Sequence, residues 1–212
     1  WASGGELYRC SEHGCGCGWE YEYLPGEPMG RPWPTALIQV TATTEDQTDN
    51  TYGALRPMIE KGPLDDVIAR TGEEFIRLPN GGKIEVVTSK ATSRLGQRVT
   101  FVPQDETGIW TESNSMVKVA RTQRRGLAGM GGRAIETTNA WDPSENSVAQ
   151  QTFLSRAEDV ARDFRQPPAE WKWSSLRDRR KILQFNYAGV PGSLANLASI
   201  EAEAGELSES DP

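Results

Sequence analysis

Three short apolar runs separated by helix-length stretches constrain the fold of this chain more than any other feature. They are Leu37–Ala42, Arg98–Pro103 and Ala134–Thr138, each the length of a buried strand. Helix-start signals follow. Thr44 stands three residues before Gln47, as in a capping box, and predicts a helix to about Lys61, stopped at Gly62-Pro63. A second helix is expected over Asn114–Arg124, ending in a glycine-rich turn, Gly126–Gly132. Ser144 can cap a third, running to about Phe164 before Pro167-Pro168, and residues 170–187 read as a fourth. Strands alternating with helices specify an α/β protein with a mainly parallel sheet flanked by helices. Phe75–Leu78 and Lys83–Thr88 flank Pro79-Asn80-Gly81-Gly82, a hairpin signal.

Three regions follow. Residues 1–34 are rich in Gly, Pro and aromatics and read as loop with one short strand near Trp19–Tyr23. Residues 35–168 hold the α/β core, and residues 169–212 form a helical lead-in to an acidic linker from Glu201. Hydrophobic content of 36% and charged content of 25% fit a globular core. No apolar run approaches the ~20 residues that span a bilayer. Trp1–Gly5 has neither the basic nor the apolar part of a secretory leader, so a cytosolic protein is expected. A first residue of Trp rather than Met suggests a fragment or a processed chain. The net charge of −7 argues against a passive DNA coat and leaves room for a local basic track on an acidic body.

The most informative segment is Val99–Glu106. A strand there delivers Asp105 and Glu106 at its C-terminal end, where open α/β sheets place ligands. In P-loop ATPases the first such acid holds Mg²⁺ through its water shell and the second polarises the attacking water. A strand ending in a solvated acidic turn is the other reading. Pro103 is awkward in either, since it cannot donate to a ladder. The phosphate cradle Gly-x4-Gly-Lys-Ser/Thr is absent: Gly82-Lys83 is followed by Ile84, Arg77 occupies the required first glycine position, and Gly126–Gly132 offers no lysine.

Cys10, His13, Cys15 and Cys17 match a zinc ligand set in type but not in spacing, because Cys-x-Cys replaces Cys-x2-Cys within eight residues. Reduced cysteines in a Gly-rich loop are favoured over a zinc knuckle, which remains the rival of a non-enzymatic metal-binding module. Arg121, Arg124, Arg125 and Arg133 can touch a DNA backbone, although a solvated face is the commoner arrangement. Trp171 and Trp173 read as packing residues rather than a base-stacking platform.

Three blocks together resemble one family. Leu37–Tyr52 is similar to the strand-plus-helix block that follows the P-loop helix in the large terminase subunits of tailed bacteriophages. Thr92-Ser93-Arg94-Leu95-Gly96, a strand, and Asp105–Trp110 resemble their Walker B region, and Glu136–Pro143 resembles their coupling motif. Tyr187–Pro212 is similar to the lead-in to the linker before their nuclease domain. The resemblance runs from about Trp19 onward.

It implies a P-loop NTPase-like sheet, incomplete for want of its P-loop segment, and part of an ATP-hydrolysing motor that drives viral DNA into the procapsid. Glu106 would be the catalytic carboxylate, Asp105 would hold Mg²⁺ through water, and Thr138 and Asn139 would sense the γ-phosphate of ATP. Arg94 would reach a neighbouring subunit's nucleotide, with Arg98 as its competitor. Implied partners are double-stranded viral DNA, the portal protein, the small terminase subunit and further copies in a ring, in the cytoplasm of the infected host. The P-loop would lie upstream and the nuclease downstream, so the chain alone is expected to be inactive. Another P-loop translocase or helicase is the nearer rival.

Overall fold

A computed structural model of the chain describes residues 7–9, 20–22, 35–62, 64–68, 70–89, 97–187 and 196–204. The Cys/His cluster and Arg94 lie outside them. The chain divides into two compact units, residues 1–152 and 153–212.

The first unit contains a small antiparallel pair and a large sheet. Strand β1 (Leu7–Arg9) pairs with β2 (Glu20–Glu22), so the strand expected near Trp19–Tyr23 has a partner that the sequence did not signal. The large sheet has six strands: β3 (Leu37–Thr41), β4 (Arg70–Thr71), β5 (Phe75–Arg77), β6 (Lys83–Val87), β7 (Phe101–Asp105) and β8 (Arg133–Thr137). Their order is β4-β5-β6-β3-β7-β8. The last four in that order run parallel, β5 runs antiparallel to β6, and β4 runs antiparallel to β5. All three apolar runs therefore lie in one mainly parallel sheet, as expected. The β5–β6 hairpin also forms, turning through a 3-10 segment in which Gly81 takes a φ of 78° that glycine adopts without a Cβ penalty. β7 starts three residues later than expected and runs through Asp105. Pro103 lies inside it opposite Ile135, leaving the ladder one donor short.

Helix α1 (Glu45–Glu60) begins where Thr44 accepts the Gln47 amide at 3.3 Å. Tyr52 and Ile59 of α1 pack with Val40, Ile68, Ile76 and Ile84 on one face of the sheet. Helix α2 (Met116–Met130) covers the opposite face, with Leu127 against Leu37, Val99 and Val102. α2 runs through Gly126 and Gly129, so the expected turn at Gly126–Gly132 shrinks to Gly131-Gly132. Gly126 and Gly132 serve close approach instead: a Cβ on Gly126 would meet the Gln97 carbonyl at 2.8 Å, and one on Gly132 the Thr100 carbonyl at 2.6 Å.

The expected helix from Ser144 to Phe164 is replaced by a short one, α3 (Val148–Leu154). Ser144 instead bonds back to Asp142 through its amide and hydroxyl, both 2.7 Å, and closes a turn. The cap passes to Ser147, whose hydroxyl accepts the Gln150 amide at 3.4 Å. Beyond Leu154 the Arg162 guanidinium donates to the carbonyls of Phe153, Ser155 and Val160. Cationic donors commonly take up the carbonyls freed where a helix ends.

The second unit contains α4 (Leu176–Tyr187) and α5 (Leu197–Ala204), joined by an Arg180–Glu201 ion pair at 2.6 Å. α5 carries the first residues of the stretch expected to be linker. Trp171 packs edge-on to Phe185 and under Lys181, and Arg179 lies over Trp173. This is packing, as the sequence suggested.

Beneath α2 lies a polar network that hydrophobic patterning did not reveal. Gln39 donates to Glu85 at 2.9 Å and to Gln97 at 3.2 Å. Gln123 donates to Gln39 at 3.1 Å and to Thr41 at 2.7 Å, and accepts from Gln104 at 2.9 Å. Glu85 is only 2% exposed and is neutralised by Lys83 at 2.6 Å. Removing one partner of a buried pair strands the other charge. Lys83→Met should therefore lower stability in urea unfolding by about 3 kcal/mol. The double variant Lys83→Met/Glu85→Met should recover most of that loss; no recovery would mean the pair is not what holds this layer.

Candidate active site

The C-terminal ends of β7 and β8 bring four short polar side chains together. Parallel register sets Asp105 opposite Thr137. The Thr137 hydroxyl donates to Asp105 Oδ1 at 2.8 Å, and the Glu106 amide donates to the same oxygen at 3.1 Å. Asp105 Oδ2 has no hydrogen bond among the described residues. Glu106 follows in left-handed backbone, φ 55° and ψ 45°, and opens a 3-10 turn over Thr107–Ile109. Asn139 Nδ2 donates to Glu106 Oε1 at 3.2 Å.

Thr138 bonds the turn that follows the acids rather than the acids themselves. Its hydroxyl accepts the Gly108 amide at 2.8 Å. A Cβ on Gly108 would sit 2.5 Å from that oxygen, so only glycine fits there. The turn is anchored below by Trp110, fully buried, whose indole Nε1 donates to the Asp105 carbonyl at 3.1 Å. Trp110 packs with Val87, Met116, Val117, Val119, Ala120 and Val148. Burying an indole that also satisfies its N–H is worth several kcal/mol in order-of-magnitude terms, and it fixes the strand end that carries both acids.

Thus Asp105, Glu106 and Asn139 converge, and Thr138 holds the turn beside them. Thr137, which sequence reasoning passed over, touches Asp105 directly. Its signal was present, since it belongs to the same Thr-rich tetrad and strand register puts it across from the acid. Further along, the hydroxyl and amide of Ser144 hold the Asp142 carboxyl below the usual carboxylate range. That turn is strengthened while Asp142 is ionised, and the contribution disappears as pH falls through its depressed pKa. Arg124, a candidate for DNA contact, is instead tied internally to Glu136 at 2.6 Å and to Thr152. Among the described residues, no group of three or more His, Cys, Asp or Glu side chains could hold a metal ion by itself, and no helix is long and apolar enough to cross a membrane.

Thr138→Val keeps the shape of residue 138 and removes its acceptor, leaving the buried Gly108 amide unpaired. The expected cost is about 1–3 kcal/mol, with faster hydrogen exchange at Gly108. Unchanged exchange there would show that the 107–109 turn does not depend on the Thr138 hydroxyl.

No protein-family profile matches the chain. It is 31% identical over 137 residues to the Gene 13 protein of Mycobacterium phage D29 and 32% identical over 136 residues to that of Mycobacterium phage L5. The matched segments are 61% and 60% of this chain but only 23% of each relative, so the chain spans less than a quarter of the relatives' length. Among solved structures it is similar to the large terminase of bacteriophage HK97, with a TM-score of 0.63 and 12% identity over 81% of this chain and 36% of that one. At that identity the likeness is one of fold. Over most of its length the chain has the mainly parallel α/β fold seen in a phage large terminase.

Proposed function

We propose that the chain is part of the ATPase motor of a phage large terminase, coupling ATP hydrolysis to movement of viral DNA into a procapsid. The observation that carries this reading is the pair Asp105-Glu106 at the C-terminal end of an interior parallel strand, with Asp105 bonded to Thr137 at the end of β8 and Glu106 to Asn139 in the bend just after it. Asp105 presents a free Oδ2 next to a Thr hydroxyl, a donor set suited to a hydrated Mg²⁺, which binds through one or two carboxylates and keeps several waters. Bound there, Mg²⁺ would neutralise phosphate charge. Glu106 would polarise the attacking water, with Asn139 holding its carboxylate in place. A change at the nucleotide reaches β8 through the same Asn139–Glu106 and Thr137–Asp105 bonds. The portal, the small subunit and a ring of further copies are the partners that such a motor would engage.

The phosphate cradle would come from a strand added at the free edge of β8. That strand is the sheet edge among the described residues, and its Ile135 is 54% exposed. A parallel strand there would deliver its C-terminal loop beside Asp105 and Thr138, in the crevice where such sheets bind ligands. Until it is supplied, two carboxylates face a polyanion, which repels it. The 212-residue chain should therefore show no tight ATP binding by calorimetry and no phosphate release above a Glu106→Gln control. Micromolar affinity would sink this account and point to a phosphate site within the chain.

In a polypeptide that supplies the cradle, Glu106→Gln should keep ATP binding and lose hydrolysis by orders of magnitude. Near-normal turnover would remove Glu106 from the mechanism. Arg94 is proposed to act in trans. Arg94→Ala should lose roughly 10³-fold or more in turnover, and mixing it with Glu106→Gln should restore part. No rescue despite co-assembly would favour Arg98 or a cis role.

A further inference from the structure

We propose that the outward stripe of α2, formed by Lys118, Arg121 and Arg125, is a docking surface for the phosphate backbone of duplex nucleic acid, engaged without regard to base sequence. The proposal adds a location to the motor reading and rests on that reading only for the choice of DNA as the duplex.

Helical spacing puts residues 118, 121 and 125 on one face, opposite the buried Val119, Gln123 and Leu127. All three are exposed. Residues 113–135 contain five basic side chains, at 118, 121, 124, 125 and 133, and no acid, in a chain whose net charge is −7. An ordinary solvated helix face intersperses both signs, because i,i+4 pairs of opposite charge stabilise it and like pairs destabilise it. Arg121 and Arg125 are such a like pair. Lys118 sits in the first turn, where the helix dipole favours acids, yet that turn has none. Nor does Ser115 cap the helix with its side chain. These charges thus work against the stability of their own helix, which is held from its other face by packing and by the Gln123 and Arg124 hydrogen bonds.

Their counter-ions are sparse. Arg121 meets Glu112 at 3.0 Å, with both side chains more than half exposed. Such a pair is worth little in water and is readily exchanged for a phosphate. Lys118 and Arg125 have no ion-pair partner among the described residues. Gly129 extends the stripe by one turn, and a Cβ there would have nothing within 4 Å, so no side chain projects to hold a rod-like ligand away. Lys118 and Arg125 are seven residues apart, roughly 10 Å along the axis, or about three phosphate steps of one DNA strand at ~3.4 Å each.

The test is fluorescence anisotropy of the 212-residue chain with labelled 30-base-pair duplexes of unrelated sequence, without nucleotide, over a range of salt. The variant Lys118→Ala/Arg121→Ala/Arg125→Ala should weaken binding equally for every sequence and shrink the slope of log K against log salt by about 2–3, since each lost phosphate contact removes ~0.9. Lys172→Ala/Arg177→Ala/Arg180→Ala removes the same charge from the region around α4 and should leave the slope unchanged. Thermal unfolding should show the α2 variant at least as stable as the wild type. The proposal is overturned if the α2 variant keeps the wild-type slope, if both variants lose it equally, if the wild type fails to bind duplex at low salt, or if poly-glutamate competes as well as duplex, which would indicate an acidic protein partner. Because no ATP is present, failure here leaves the hydrolysis reading standing, and an active Glu106→Gln variant would leave this surface standing.

Discussion

Side chains alternate along a strand, and β7 uses that alternation to serve two layers at once. Gln104 points beneath α2 and joins Gln123, while the next residue, Asp105, ends the strand and meets Thr137. A one-residue slip of β7 between β3 and β8 would bury the acid and expose the amide. The buried amide layer therefore does more than fill space. A network of Gln39, Gln104 and Gln123 whose members must find each other permits one register, whereas interchangeable apolar side chains would permit several. The placement of both acids depends on that register.

The parts of the fold legible in the sequence are those set by local rules. Thr44 and Gln47 announced α1, although only Thr44 completes its half of the box: the Gln47 Oε1 is buried without a partner among the described residues. The three apolar runs announced the parallel strands. Most of what failed was non-local. Gly126 and Gly129 looked like a turn because nothing nearby in sequence shows that the Gln97 carbonyl passes within 2.8 Å of a Cβ at residue 126. Ser144 failed for a local reason: it looked like a helix cap, but Asp142 two residues earlier captured it first. The polar network was invisible because buried glutamines read as surface residues until the strands that carry them are paired.

The candidate site was legible in part. Asp105 and Glu106 stood out as a carboxylate pair at a strand end, and Asn139 as a polar group just past the end of the next strand. That Thr137 would contact Asp105, with Thr138 turning to Gly108, follows from strand alternation only once the register of β8 is known.

Glu106 occupies left-handed backbone, a region that costs a non-glycine residue of order 1 kcal/mol or more. Glycine would relieve that cost while deleting the carboxylate. Selection for thermal robustness alone would thus drift toward losing the acid at this position. If Glu106 acts as proposed, a library sorted first for folding and then for turnover should rank residue 106 in opposite directions in the two sorts.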